Sequence, residues 1–384
     1  MTRSGTPRFM RSMAAIDAAT WNALAGDYPF MRHEFLAALE DTGCVSALTG
    51  WTPHHLLQGD PANPELLAPL YEKAHSWGEF VFDFAWARAW ESRGLHYYPK
   101  LLLAIPFTPA TGPRLLCRQA GSAGEQSRLD ALAAIAADAA ARGRSSAHAL
   151  FIDEPLRSAA AAAGWLLRRD CHFQWCNRGY RGFDDFLATF SADKRKKAKR
   201  ERRRVAEQGI RFELRTGGQL DEPLLRAVHA LHAATFIRHG HEPYLSAEFF
   251  IRVAAALAEN FIAALAWRGD ELVATAVFFR SRDTLYGRYW GAAGDFHSLH
   301  FEACYHQGIE YCIDNGLQRF EPGTQGEHKL ARGFEPTFTW SAHWLADPAL
   351  RDAVARFLER ESEAIGEYAD AAGQHTPFRG RPAP

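Results

Sequence analysis

Between Glu321 and Pro336 the chain reads EPGTQGEHKLARGFEP. His328 in this stretch carries an imidazole whose ordinary pKa lies near neutrality, so it is suited to take a proton from an attacking amine. Glu321, at the end of the strand-like QRFEPG, is the alternative base, or else the partner of Arg332. Lys329 and Arg332 have the chemistry to hold a phosphate or a carboxylate, and Gln325 joins them as a substrate contact. Gly323 and Gly326 permit backbone shapes closed to other residues. Loops at the ends of sheet strands are where binding groups collect. The plainer alternative is a structural turn with a satisfied ion pair.

Upstream, GRYWGA alternates polar and aromatic residues along a strand. Tyr289 is placed to donate a proton to a leaving group, and Arg288 to contact substrate; aromatic core packing is the alternative. In LHFEACYHQG, Glu302 and His306 share a helix face but His300 does not, and HExxH is absent, so no metal is expected. His239, His241 and Glu242 flank a glycine turn between two helices, and His239 is the candidate for a substrate cleft there.

The segment SADKRKKAKRERRRVAEQG is almost entirely basic. Lys194, Arg195, Lys196, Lys197, Lys199, Arg200 and Arg203 on an exposed helix would neutralise phosphates and release counterions. Ser191 is a plausible cap and Gly209 a plausible stop. The alternative is a solvated helix supported by Glu201 through i,i+4 pairs.

These groups need a frame. At 384 residues the chain is long enough for two domains. Net charge is −1, so any electrostatic partner must be met by a local patch. The six cysteines form no CxxC pair and read as reduced thiols. No stretch approaches the roughly 20 apolar residues that span a bilayer, and the N-terminus lacks a signal-peptide core; a cytoplasmic protein is expected. The pattern gives an α/β domain over 1–180, a basic helical connector over 181–209 and a second domain over 210–346. A C-terminal exposed helix and a disordered tail follow over 347–384. In the second domain the order is helix, helix, three antiparallel strands, helix, strand, loop, strand. This is the order of a GNAT-type acyltransferase sheet, and a weaker version of it occupies the first half. The fold expected is α/β with two tandem GNAT-like domains.

LYGRYWGA and LHFEACYHQGIEYCIDNGLQRFEPGTQGEHKLARGF together resemble the second domain of FemAB-like proteins, the branch of predicted N-acyltransferases. KLARGF matches their Lys/Arg-Gly-Phe turn, and the basic segment resembles the one that opens the second domain of Fem transferases. HSWGEFVFDFAWARAW, YYPKLL and PFTPATGPRLL look like the first domain. The resemblance implies amide formation between an activated acyl or aminoacyl donor and an amine, without a separate cofactor. It also implies first-domain contacts from Ser76, Glu79 and Thr108. The Arg/Gln-x-x-Gly-x-Gly/Ala turn that cradles the CoA pyrophosphate is missing from GDFHSLHFEACY, which favours aminoacyl-tRNA over acyl-CoA as donor. An acyl-CoA-dependent enzyme acting on a small molecule and a non-catalytic polyanion-binding module are the rival expectations.

Overall fold

The run KLLL shows how the first unit is organised. Lys100–Leu103 is a strand buried along its whole length, as a continuous apolar run in the middle of a sheet must be. It pairs antiparallel with Leu70–Lys73 and parallel with Ser146–Leu150. The structure, a computed structural model, describes residues 7–238, 240–324 and 326–379. It divides into two units, one of Met1–Asp170 with Phe338–Gly366, the other of Cys171–Thr337 with Glu367–Pro384. Each unit is therefore made of two chain segments, where the sequence pattern suggested unbroken domains.

In the first unit the late segment completes the sheet, with Ser341–Leu345 pairing antiparallel against Leu150–Ser146. The helices Gly121–Ala141 and Glu154–Ala162 bury Leu132, Ile135, Leu156 and Ala159 against Leu101, Leu103, Ala147 and Ala149. A second, smaller sheet joins Arg8–Met10, His55–Asp60, Asn63–Ala68 and Leu116–Cys117. The helix Pro348–Gly373 is amphipathic rather than exposed throughout. Its Leu350, Val354 and Leu358 meet Trp86, Trp90 and Tyr97, at the near-helical spacing of three or four residues that makes one face.

In the second unit, Ile210–Thr216, Phe261–Arg268, Glu271–Arg280 and Thr284–Ala292 form an antiparallel meander. Short turns at 269–270 and 281–283 join the last three of these strands. Arg319–Glu321 then runs parallel to Thr284–Tyr286, and its Arg319 and Phe320 pair with Cys176 and Trp175. The helices Glu222–Arg238 and Ala247–Ala256 cover the sheet. The core joins Phe186, Phe190, Phe320 and Phe334. Part of the stretch expected to be disordered is placed. Phe378 packs edge-on against Phe190 at 5.5 Å, and Arg379 donates to the Phe190 carbonyl at 2.9 Å. An aromatic anchor and a backbone hydrogen bond hold a segment that composition alone marks as loose.

Candidate active site

The strand Thr284–Ala292 does not pair evenly with its neighbour. Val277 faces Tyr289 and Phe278 faces Gly287, so Arg288 is an extra residue, a β-bulge. Bulges bend a strand and re-aim side chains, and they concentrate beside binding sites. On the strand's other edge the parallel pairing ends at Tyr286 and Glu321. A cavity of about 290 Å³ opens here, lined by Arg288, Tyr289, Trp290, His300, Cys304, Tyr305, His328 and Lys329 among others.

Two further elements complete its wall. The helix that starts at Leu299 widens into a π-turn over Glu302–His306 before continuing as Gln307–Asp314. A π-turn inside a helix is a frequent mark of a functional site, and this one carries Cys304 and Tyr305 to the cavity. The loop after Glu321 forms a short 3-10 helix over Glu327–Arg332. Gly333, at φ +86°, brings that helix to an end, and a Cβ there would strike the Phe186 ring at 2.7 Å. That close approach accounts for the Gly in the Arg-Gly-Phe turn, while Phe334 is buried beside Tyr305 and Phe320.

His328 stands at the cavity with its ring over Gly326. A Cβ on Gly326, which also sits at φ +111°, would fall 2.0 Å from the His328 ring. Gly326→Ala is thus expected to dislodge His328 and lower any reaction that uses its imidazole about 10- to 100-fold through mispositioning. Steady-state rates beside an unchanged far-UV spectrum test this, and a variant with full activity would refute it. His328 Nε2 lies 2.8 Å from the Tyr305 hydroxyl. Burial, with Lys329 and Arg332 nearby, lowers the His328 pKa below its ordinary value, and burial raises that of the Tyr305 phenol. At neutral pH the pair is an uncharged imidazole against an uncharged phenol. His300 is pushed down to about 4 by burial and by the neighbouring His328, Arg332 and Lys329.

Lys329 is almost wholly buried, and burial lowers its ammonium to about 7. Its Nζ donates to the Gly323 carbonyl at 2.6 Å. Arg332 turns away from the cavity. It donates to Glu201 at 2.8 Å and to the His328 carbonyl at 2.6 Å, and its guanidinium lies 3.5 Å from the centre of the Phe301 ring. The ion pair considered between Glu321 and Arg332 is therefore replaced by one with Glu201. Glu321 itself is not among the residues lining the cavity. Tyr289 lines the cavity while packing against His232 and Phe250, each ring at 5.2 Å. Gln325 and His239 lie outside the described residues.

The basic helix spans Ala192–Glu207. It buries Ala198, Glu201 and Val205 and exposes Lys194, Lys196, Lys197, Lys199, Arg200 and Arg203, with Arg195 half-buried. Lys199 meets Asp184 at 2.9 Å and Arg203 meets Glu207 at 3.4 Å. On the inner side, Arg202 donates to Glu302 at 3.1 Å and to Glu310 at 2.7 Å. Glu201 faces Arg332, so it lends no support to the outer face.

The first-unit residues form a separate buried network. Lys100 Nζ donates to Ser76 Oγ and Glu79 Oε2, both at 2.9 Å, and to Asp83. Ser76 also donates to Asp83 and lies 2.8 Å from the Tyr98 hydroxyl. Burial pushes the Glu79 carboxyl up to about 7 against the pull of Lys100. For Asp83 burial works in the same upward direction, yet Lys100 and His148 hold it below the usual carboxylate range. Thr108 Oγ1 donates to the Pro106 carbonyl at 2.9 Å, and Arg114, fully buried, donates to the carbonyls of Ala110, Gly112 and Pro113. Ser76, Glu79 and Thr108 were expected as substrate contacts; in the structure all three have intramolecular partners. Lys100, Asp83, His148 and Tyr97 went unnoticed in the sequence. They are scattered along the chain, and a lone Lys in an apolar run was the one visible signal.

The sequence matches the FemAB-like family, described as peptidoglycan biosynthesis/recognition, over residues 12–380. The chain belongs to this family. No curated protein matches it. The fold is similar to the C-terminal domain of a putative lysylphosphatidylglycerol synthetase from Agrobacterium fabrum. The TM-score is 0.53 at 10% identity, covering 89% of this chain and 96% of that one. FemX is also similar, with a TM-score of 0.47 at 10% identity, covering 80% of this chain and 92% of that chain. A tandem GNAT protein from the clavulanic acid biosynthesis pathway gives 0.44 at 10% identity, covering 89% and 99%. The FemAB-like chain is a mixed α/β protein of two units, and its membership supports an acyltransferase. Among its described residues no helix is long and apolar enough to cross a membrane.

Proposed function

We propose that this FemAB-like protein forms an amide by direct transfer of an aminoacyl or acyl group to an amine in the second-unit cavity. The observation that carries this reading is the bulged strand facing the 3-10 helix, with His328, Lys329 and Tyr289 lining one cavity. The acceptor amine attacks the donor carbonyl and forms a tetrahedral intermediate. His328, kept neutral by burial, takes the amine's proton. Tyr289 is the candidate to give a proton to the departing oxygen or sulfur. No covalent enzyme intermediate is required. Cys304 lines the cavity, but burial raises its thiol pKa, opposite to what an activated nucleophile needs.

Aminoacyl-tRNA is the favoured donor, in the cytoplasm, because the exposed face of Ala192–Glu207 presents Lys196, Lys197 and Arg200 beside the exposed Lys194. A phosphate backbone on that face would release counterions. Combined Lys196→Glu and Arg200→Glu changes are expected to weaken tRNA binding about 10-fold or more at low salt and to flatten its salt dependence. Filter binding of charged tRNA at two salt concentrations, beside titration with acetyl-CoA and longer acyl-CoAs, tests the assignment. Salt-insensitive tRNA binding, or tight binding of acyl-CoA alone, would move the donor to CoA.

A further inference from the structure

The basic helix Ala192–Glu207 buries one carboxylate, that of Glu201. Its Oε1 accepts from Arg332 at 2.8 Å. Arg332 is buried as well, and it reaches His328 in two ways. Its other terminal nitrogen donates to the His328 carbonyl at 2.6 Å. Its guanidinium also lies on the Phe301 ring, whose centre is 5.5 Å from that of the His328 ring. Arg202, the next residue on the helix, donates to Glu302 at 3.1 Å. Glu302 opens the π-turn that carries Tyr305, and the Tyr305 hydroxyl lies 2.8 Å from His328 Nε2. One turn of the basic helix therefore holds both sides of that contact. A buried ion pair adds little net stability over apolar residues of the same volume. A planar guanidinium that bridges a carboxylate and a carbonyl does fix direction.

We propose that Glu201 is a positioning residue for His328. It acts through Arg332. The carboxylate fixes the guanidinium, and the guanidinium holds the His328 carbonyl and the Phe301 ring. The imidazole then keeps one orientation and one tautomer against Tyr305. Neither Glu201 nor Arg332 lines the cavity, so the effect on chemistry is indirect. Its bearing on transfer rests on the reading of His328 as the base.

The test uses the full-length protein with isotope-labelled histidine rings, followed by NMR at about pH 8, where the lowered pKa keeps His328 neutral. Loss of a signal in His328→Ala assigns the ring. In the wild-type protein its two nitrogens should give well-separated signals, the mark of one tautomer, because the hydrogen bond at one ring nitrogen sets which of the two carries the proton. Glu201→Gln should draw the two signals together. It should also lower kcat about 10- to 100-fold through mispositioning, with the donor's KM little changed. In a His328→Ala background the same change should lower transfer no further. Glu201→Gln leaves Arg332 buried without its counter-charge, which costs stability. The double variant Glu201→Gln with Arg332→Met removes both charges. It should melt within a few degrees of wild type and still show the averaged tautomer.

A single tautomer kept in Glu201→Gln, or restored in the double variant, would overturn the proposal and leave the pair a stabilising contact. An equal loss of transfer with and without His328 would also overturn it. An averaged tautomer beside transfer at the wild-type rate would instead uphold the positioning and count against His328 as the base. If no donor supports transfer, the tautomer measurement decides the proposal alone.

Discussion

Replacing Lys100 by methionine is expected to cost about 3–5 kcal/mol of stability, because it leaves buried carboxylates without their counter-charge. Lys100 and Glu79 have fully or almost fully buried side chains, as does Asp83. In Lys100→Met the Glu79 carboxyl would take a proton and escape part of the cost, since burial already raises it to about 7. Asp83 has less room to do so, because Ser76 and Tyr97 still donate to its carboxylate when Lys100 is gone. Adding Asp83→Asn to Lys100→Met should therefore recover part of the loss. Urea unfolding of the two variants against wild type checks both. A Lys100→Met protein within about 1 kcal/mol of wild type would contradict the network's role. Unit one holds a parallel strand pair like that of unit two, Lys100–Leu103 with Ser146–Leu150. Lys100 itself is fully buried and lies among intramolecular partners.

The second large effect belongs to His328. Removing a positioned general base typically costs 10²- to 10⁴-fold in rate, and His328→Ala is expected to lose turnover in that range. Glu321→Ala should lose far less, since Glu321 does not line the cavity. The pH dependence has a definite sign. A base works when deprotonated, and burial lowers the His328 pKa from 6.5. The acid limb of kcat/KM should accordingly fall below pH 6.5, with activity lost as pH drops through it. Steady-state kinetics from pH 4.5 to 8 would show this, and an acid limb above pH 7 would assign the proton to another group. If both His328→Ala and Glu321→Ala keep full transfer activity, neither residue is the base.

Much of this frame could be read in the residues. The three strands after Asn260 announce themselves by alternating apolar runs broken at Arg268–Asp270 and Ser281–Asp283, short-range signals that a window of ten residues captures. The Glu321–Pro336 loop stood out for its glycines and its His-Lys pair, and Pro322, Gly323, Thr324, His328 and Lys329 from it line the cavity. What escaped depends on distance along the chain. Arg332 looked like a ligand group, yet its partner Glu201 lies 131 residues away, on a helix where it read as support for neighbouring arginines. Tyr305 and Cys304 reach the cavity through a π-turn, a change of helical phase that an apolar period cannot show. His300 was set apart because it shared no helix face with Glu302 and His306, yet it lines the cavity with Cys304 and Tyr305 of the widened turn after it. The bulge at Arg288 likewise arises from pairing with Val277 and Phe278, not from the strand's own residues.

The most direct test is to look for the amide. Purified protein would be mixed with tRNA charged with a full set of amino acids, or with a set of acyl-CoAs, and with a pool of amino-acid and peptide amines, and new amides sought by mass spectrometry. The proposed mechanism predicts amide products from the wild-type protein that are lost in His328→Ala while donor binding is kept. A His328→Ala protein forming the same amides at the wild-type rate, or an acyl group found covalently attached to the enzyme during turnover, would contradict direct transfer in this cavity.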